Sequence, residues 1–246
     1  MSNEFGALSL RVVSYDLLGS TQDEMRRRLS AGEDVHGLVV QAAVQSAARG
    51  QRARDWQAGR GGSYQTLAVR GDPPGHAALV LALGIAETLP VYGVQAGLKW
   101  PNDLLYRGKK LAGVLAERVA GHLLVGVGLN VNNPLPEGAT GLRGWDVQGA
   151  NMVVLEGLQR GLIHLADPAF DLSDAYWPFD LLAGEALELR SGDALHRGVG
   201  AGVDGSGQLL LRQGDEVTAF SSGRLARYGL RTLPRQPSAA HPGQNV

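Results

Sequence analysis

Residues 99–113 read KWPNDLLYRGKKLAG, setting a rigid polar turn, a basic pair and an apolar run side by side. Trp100 and Pro101 stiffen the chain entering Asn102 and Asp103, whose short polar side chains favour turns and the caps of following elements. Lys109 and Lys110 stand at the mouth of Leu111–Leu115, which reads as a strand. A lysine there is held by the sheet and can be aimed at an anion. The plain alternative is an ordinary turn and two solvated lysines, and the stretch alone leaves both readings open.

Working outward, Lys110–Val119 and His122–Val131 pair as a hairpin about Ala120 and Gly121. The second strand ends in Gly126, Val127, Gly128, Leu129 and Asn130, where small residues let a ligand approach backbone and Asn130 offers both donor and acceptor. It lacks the third glycine and the strand-to-helix context of a dinucleotide fingerprint, and a glycine-marked strand end is an equal reading. Upstream, His76–Leu89 reads as a helix apolar nearly all round, hence packed on a sheet. Leu8–Tyr15, Gly37–Val44 and Ser63–Arg70 read as strands, and Ser20 and Thr21 open a helix to about Leu29. Those two hydroxyls act as caps, although a helix start also suits a polar ligand.

Between the second and third strands lies QSAARGQRARDW, residues 45–56, with Arg49, Arg52 and Arg54 around Gly50. Such a loop is either solvated surface or a cluster of guanidinium forks able to close over carboxylate and phosphate. A grip on nucleic acid would need aromatic or basic support that the rest of the chain does not offer.

Downstream, Pro134–Gly149 reads as loop and Met152–Leu165 as an amphipathic helix. A helical stretch over Leu172–Leu182 is broken at Pro178. From Gly184 the texture changes to short strands, Ala186–Arg190, Leu195–Val203, Gln208–Arg212, Glu216–Phe220 and Arg224–Leu230, which suggest a small β-barrel. The tail from Pro234 is expected to be disordered. The expected division is 1–183, 184–233 and a tail of 234–246.

Composition narrows the chemistry. Hydrophobic residues at 44% and a net charge of −1 describe a soluble globular chain with no general affinity for polyanions. There is no cysteine, which removes thiolate nucleophiles, disulfides and cysteine-held metals. The six histidines are scattered without metal-helix spacing. No secretory signal is visible, and no apolar run reaches the roughly 18 residues a membrane helix needs.

Taken in order, Ser20–Thr21–Gln22, the arginine loop after Gln45, the 99–113 block, Gly126–Asn130 and the C-terminal strands resemble the biotin protein ligases over roughly residues 8–231. The resemblance implies an α+β fold: a mixed β-sheet flanked by helices, like the class II aminoacyl-tRNA synthetases, plus a C-terminal SH3-like barrel. It implies a cytoplasmic ligase that activates biotin with ATP and Mg²⁺ as biotinyl-5'-AMP, then transfers it to a lysine of a biotin carboxyl carrier protein. By position, Ser20, Thr21, Gln22, Gln45, Arg49, Gly50, Gln51, Lys110 and Gly113 would meet biotin, and Arg52, Arg54, Trp56, Asn102, Asn130 and Trp145 the nucleotide. Lys110, Arg49 and Arg52 would act on the reacting anions, and Mg²⁺ would be held by ATP phosphates, with no metal site of the protein's own. Only about seven residues precede the first strand, so the resemblance is to the type without a DNA-binding domain, and a homodimer is possible.

One departure stands out. The family loop commonly reads GRGRRGR, whereas this chain carries Ala48, Arg49, Gly50, Gln51, Arg52, Ala53 and Arg54. Gln51 replaces an arginine linked in the family to retaining the adenylate. Two other functions stay open: an acyl-adenylating ligase for lipoate or another short acid, and a non-catalytic module gripping nucleic acid.

Overall fold

The computed structural model describes residues 8–51 and 54–233. Arg52, Ala53 and the tail from 234 lie outside the described residues, so the expectations placed on them are not addressed by the fold.

Strands β1 (Arg11–Leu18), β2 (Leu38–Gln45), β3 (Ser63–Arg70), β4 (Ala96–Lys99), β5 (Asp103–Tyr106), β6 (Lys109–Val119) and β7 (His122–Leu129) form one sheet in the order β1-β2-β3-β7-β6-β5-β4. β1 runs parallel to β2, and every other neighbouring pair is antiparallel. β1 lies three residues later than the alternation of Leu8–Tyr15 predicts. Its side chains are half or fully exposed along an outer edge, so burial does not set its register; the ladder from Arg11↔Leu38 to Leu18↔Gln45 does.

Helix α1 (Thr21–Ser30) covers one face of this sheet, while α2 (Ala77–Thr88) and α3 (Val147–Ala166) cover the other. Strand parity divides the two layers. Val39, Leu67, Val69, Leu123 and Val125 face the large core under α2 and α3, whereas Leu38, Val40, Ala68 and Leu124 face Met25 of α1. α2 is buried on nearly every side because α3 lies against its outer flank, where Gly157 and Gly161 let the backbones approach. α3 starts five residues before the predicted helix, since Asp146 caps it by accepting from Gly149 N–H.

The broken helical stretch resolves into α4 (Leu172–Tyr176) and a 3₁₀ turn, Trp177–Phe179, with Pro178 at its start. Strands β8 (Ala186–Ser191), β9 (Ala194–Val203), β10 (Leu209–Gln213), β11 (Glu216–Phe220) and β12 (Arg224–Tyr228) then form an antiparallel sheet, β11-β10-β9-β8-β12. One bond fastens it beside the 99–113 block, and a second holds the chain leading into it against β4. Trp100 donates its indole N–H to Gly207 O at 3.0 Å, and Leu181 N–H donates to Leu98 O at 2.9 Å.

Candidate active site

Parity on the α1 side of the large sheet places Thr66 of β3, Gly126 and Gly128 of β7, and Gly113, Leu115 and Glu117 of β6 on one floor. β6 pairs Leu104 with Ala112 but Leu105 with Lys110, so one residue is bulged at Leu111. The bulge shifts the strand's phase and turns Lys110 onto the same floor as Gly113. Lys109, one residue earlier, is exposed. Over this floor lies a cavity of about 350 Å³, walled by the start of α1, the arginine loop, the Lys99–Asp103 turn and the edge strand β12. That is within the range of small-ligand sites.

One end of the cavity is polar and neutral. Ser20 caps α1, its hydroxyl accepting from Gln22 N–H at 3.2 Å and Asp23 N–H at 3.4 Å. Gln45 Oε1 accepts both from Thr21 N–H at 2.7 Å and from the Thr21 hydroxyl at 3.1 Å. Buried Thr66 lies 2.9 Å from Thr21 Oγ1 and 3.0 Å from Gln22 Oε1. Sequence reasoning places Ser20, Thr21, Gln22 and Gln45 here and misses Thr66, a threonine that in SYQTLAVR reads simply as a strand former.

The other end is cationic. Asp103 Oδ1 accepts from Lys110 Nζ at 2.6 Å and its Oδ2 from Lys99 Nζ at 3.0 Å. Burial of Lys99 works against its charge, but Asp103 and the nearby Tyr228 outweigh it and raise its pKa. Lys99 is 17% exposed and Lys110 38%, so Lys110 is the cation free to change partners. Asn102 lines the cavity but donates to Val114 O at 2.6 Å, so it fixes the turn to β6. Asp103, legible in the sequence only as a turn former, is the anion at the centre of this end.

The arginine loop closes the top. Its ends pair through Arg49↔Asp55, Gly50 N–H donates to Arg54 O at 2.8 Å, and Trp56 N–H donates to Ala48 O at 3.1 Å. Arg49 is held by Asp23 of α1 at 2.5 Å, and Gln51 and Arg54 also line the cavity. Trp56 lies over Gly128, whose missing side chain makes room for it, since a Cβ there would stand 2.6 Å from the indole, and it reaches Gly113 at ordinary contact distance. Lys110 Nζ sits 5.1 Å from the ring centre, a cation–π distance, and the buried indole N–H meets no acceptor.

Two residues expected on the nucleotide side lie outside the lining of this cavity. Asn130 does not line the cavity. It is buried behind β6, donating to Lys110 O at 3.4 Å and accepting from Asn133 at 3.1 Å, so it holds the backbone under Lys110. Trp145 is also absent from the lining; its ring meets Tyr92 edge-on at 6.1 Å and packs on the core, drawn there by its place just before α3.

Residues 16–132 match the biotin/lipoate A/B protein ligase family. The chain is 34% identical to the biotin–[acetyl-CoA-carboxylase] ligase of Mycobacterium tuberculosis over 225 residues, 83% of this chain and 84% of that one. It belongs to this family. It is also 28% identical to the bifunctional ligase/repressor BirA of Bacillus subtilis, over 86% of this chain and 72% of that protein. Its fold superposes on the biotin protein ligase from Aquifex aeolicus in complex with biotin and ATP with a TM-score of 0.77 and 27% identity, over 90% of this chain and 98% of that one.

Proposed function

We propose that biotin's ureido ring lies against Thr21, Gln22, Gln45 and Thr66, and that its carboxylate reaches Lys110. The protein is an ATP-dependent biotin protein ligase. The observation carrying the placement is that one floor of Gly113, Gly126 and Gly128 joins a neutral polar end to a cationic end. A urea needs paired donors and acceptors, and a carboxylate meeting a triphosphate needs cations.

In the first step the biotin carboxylate attacks the α-phosphorus of ATP, forming biotinyl-5'-AMP and releasing pyrophosphate. Both reactants are anions. Lys110, exchanging Asp103 for the substrate, offsets their repulsion and the charge that grows on the phosphoryl oxygens. Lys99 stays on Asp103 and keeps that carboxylate paired while Lys110 is with the substrate. Arg49 and Arg54 add charge from above, and Trp56 roofs the reacting end against water, which would hydrolyse the adenylate. In the second step a carrier lysine attacks the acyl carbon and AMP leaves. Among the described residues no group of three or more His, Asp or Glu could hold a metal; Mg²⁺ enters with the ATP phosphates.

The same reading takes residues 1–183 as the catalytic part and 184–233 as an accessory β-domain, with the reaction in the cytoplasm, where ATP is supplied. Among the described residues no helix is long and apolar enough to cross a membrane. The open edge of β1, with Val12 49% and Leu17 60% exposed, suits pairing with a second copy. Sedimentation that stays monomeric at high concentration would remove the homodimer.

The test is to mix protein, ATP, Mg²⁺, biotin and an apo carrier domain and to measure the mass gain on the carrier. Biotin-dependent pyrophosphate exchange with no lipoate-dependent exchange is the expected pattern; the reverse would assign the lipoate reading. Nucleic-acid binding that falls steeply with salt, with no pyrophosphate released, would assign the basic loop to another role.

A further inference from the structure

We infer that Glu117, which does not line the cavity, acts through the Gln22 amide to fix the donor and acceptor pattern that the neutral end shows to biotin. The inference rests on the biotin placement proposed above.

Gln22 Nε2 donates to Glu117 Oε2 at 2.7 Å and lies 3.3 Å from Leu124 O. A carboxylate and a backbone carbonyl can only accept, so the amide has one allowed orientation. Rotating it by half a turn would set its carbonyl against two acceptors, in a residue only 6% exposed. The orientation therefore places Gln22 Oε1 toward Thr66 Oγ1, 3.0 Å away, and above Gly126, where a Cβ would stand 2.8 Å from that oxygen.

From there the pattern propagates. Thr66 has one proton to give, to Gln22 Oε1 or to Thr21 Oγ1. Thr21 gives its own proton to Gln45 Oε1, which also accepts the Thr21 N–H. The Thr21 backbone N–H turns Gln45 Oε1 into the wall whichever way Gln22 lies, and Gln45 Nε2 is the group left for the cavity. The wall offers one amide donor beside hydroxyl lone pairs. A urea offers one carbonyl acceptor beside two N–H donors, so the two match; a dithiolane offers neither.

Glu117 is itself held. It shares a face with Gly113 and Leu115, pairs across to Leu124, and accepts from Arg26 at 2.5 Å. Arg26 also bonds Asp23 at 2.8 Å, which holds Arg49 at 2.5 Å. Glu117 is a positioning residue: it sets Gln22 and touches no reacting atom.

The test is a pair of substitutions measured in biotin-dependent pyrophosphate exchange. Glu117→Gln keeps size but can present either amide atom, so Gln22 gains a second orientation and only part of the population is competent. The expected result is a KM for biotin raised about twofold, the loss an amide divided between two orientations gives, with kcat and the KM for ATP unchanged. Gln22→Leu should also raise the KM for biotin, and adding Glu117→Gln to it should change nothing further. Additive effects, or a Glu117→Gln loss shared equally by ATP and kcat, would overturn the positioning role while leaving the biotin placement standing. A Gln22→Leu variant with unchanged KM for biotin would sink both.

Discussion

The two ends of the cavity share one sheet face but keep their polar groups in opposite states. At the neutral end Thr21, Gln22 and Thr66 are buried and bonded to one another, with almost every donor committed before substrate arrives. At the cationic end Lys99, Lys110 and Arg49 are also paired, but with carboxylates, Asp103 and Asp23, that stand where substrate anions would go. A neutral head group offers little energy to reorganise a wall, so the wall is built in advance. Anions carry enough charge to displace a carboxylate, and the displaced pair keeps the apo site from holding unpaired cations.

The comparison breaks first at Lys110. If exchange is its role, Lys110→Ala should lower kcat/KM for carrier biotinylation by about 10²-fold or more, since a cation at developing charge is lost. Lys109→Ala, one residue away and exposed, should stay within twofold. Similar losses in the two variants would mean that the basic pair acts only as surface charge.

Thr66 tests the other end. Thr66→Val keeps the shape but removes the hydroxyl between Thr21 and Gln22, leaving Gln22 Oε1 short of a partner. The KM for biotin should rise about tenfold while the KM for ATP holds, because one buried hydrogen bond is worth about 1–3 kcal/mol when its partner is stranded. An equal rise for both substrates would mean that the two ends are not separate.

Asp180 sharpens the contrast from outside the cavity. Asp103 has two ammonium partners, whereas Asp180 is 1% exposed and its Oδ2 has no hydrogen-bond partner. Burial raises its pKa to about 6, partly opposed by its bond from Leu182 N–H and by nearby Arg231. The unfolded chain ionises this group near 3.8, so the native state loses stability as pH climbs from about 4 to 6 and carries the full cost above that. Asp180→Asn retains the acceptor for Leu182 and should stabilise the protein at pH 8 by roughly 2–3 kcal/mol, several degrees in Tm, with the gain fading toward pH 4. A gain independent of pH would show that the carboxylate is not the source.

What the sequence makes legible follows the same division. Ser20–Thr21–Gln22, the arginine loop and Lys110 are visible because their residue types are rare in such company and lie close together in the chain. Thr66, Glu117 and the pairing of Asp103 are not, since their partners stand 45, 95 and up to 7 residues away and depend on strand parity. Lys110 itself reaches the floor only through the bulge at Leu111, which no alternation of KKLAGVLAE announces. Trp145 is legible only as an aromatic in a loop, and its ring meets Tyr92 edge-on just before α3, outside the lining of the cavity.

The smallest effect concerns how long the product of the first step stays. Gln51 lines the cavity from the arginine loop, where Arg49 and Arg54 supply charge and Gln51 supplies only an amide. An adenylate presents a phosphate, and glutamine lacks both the charge and the bidentate fork that would hold it. Gln51→Arg should therefore slow release of biotinyl-5'-AMP by about three- to tenfold, the span of one exposed charge-assisted contact. The KM for biotin should not change, because the neutral end has no part in that contact. Release measured by rapid filtration at low and high salt separates the cases: slowing that shrinks as salt rises belongs to the cationic end, whereas equal release from both proteins would place retention in the loop's closure and leave residue 51 without a share in it.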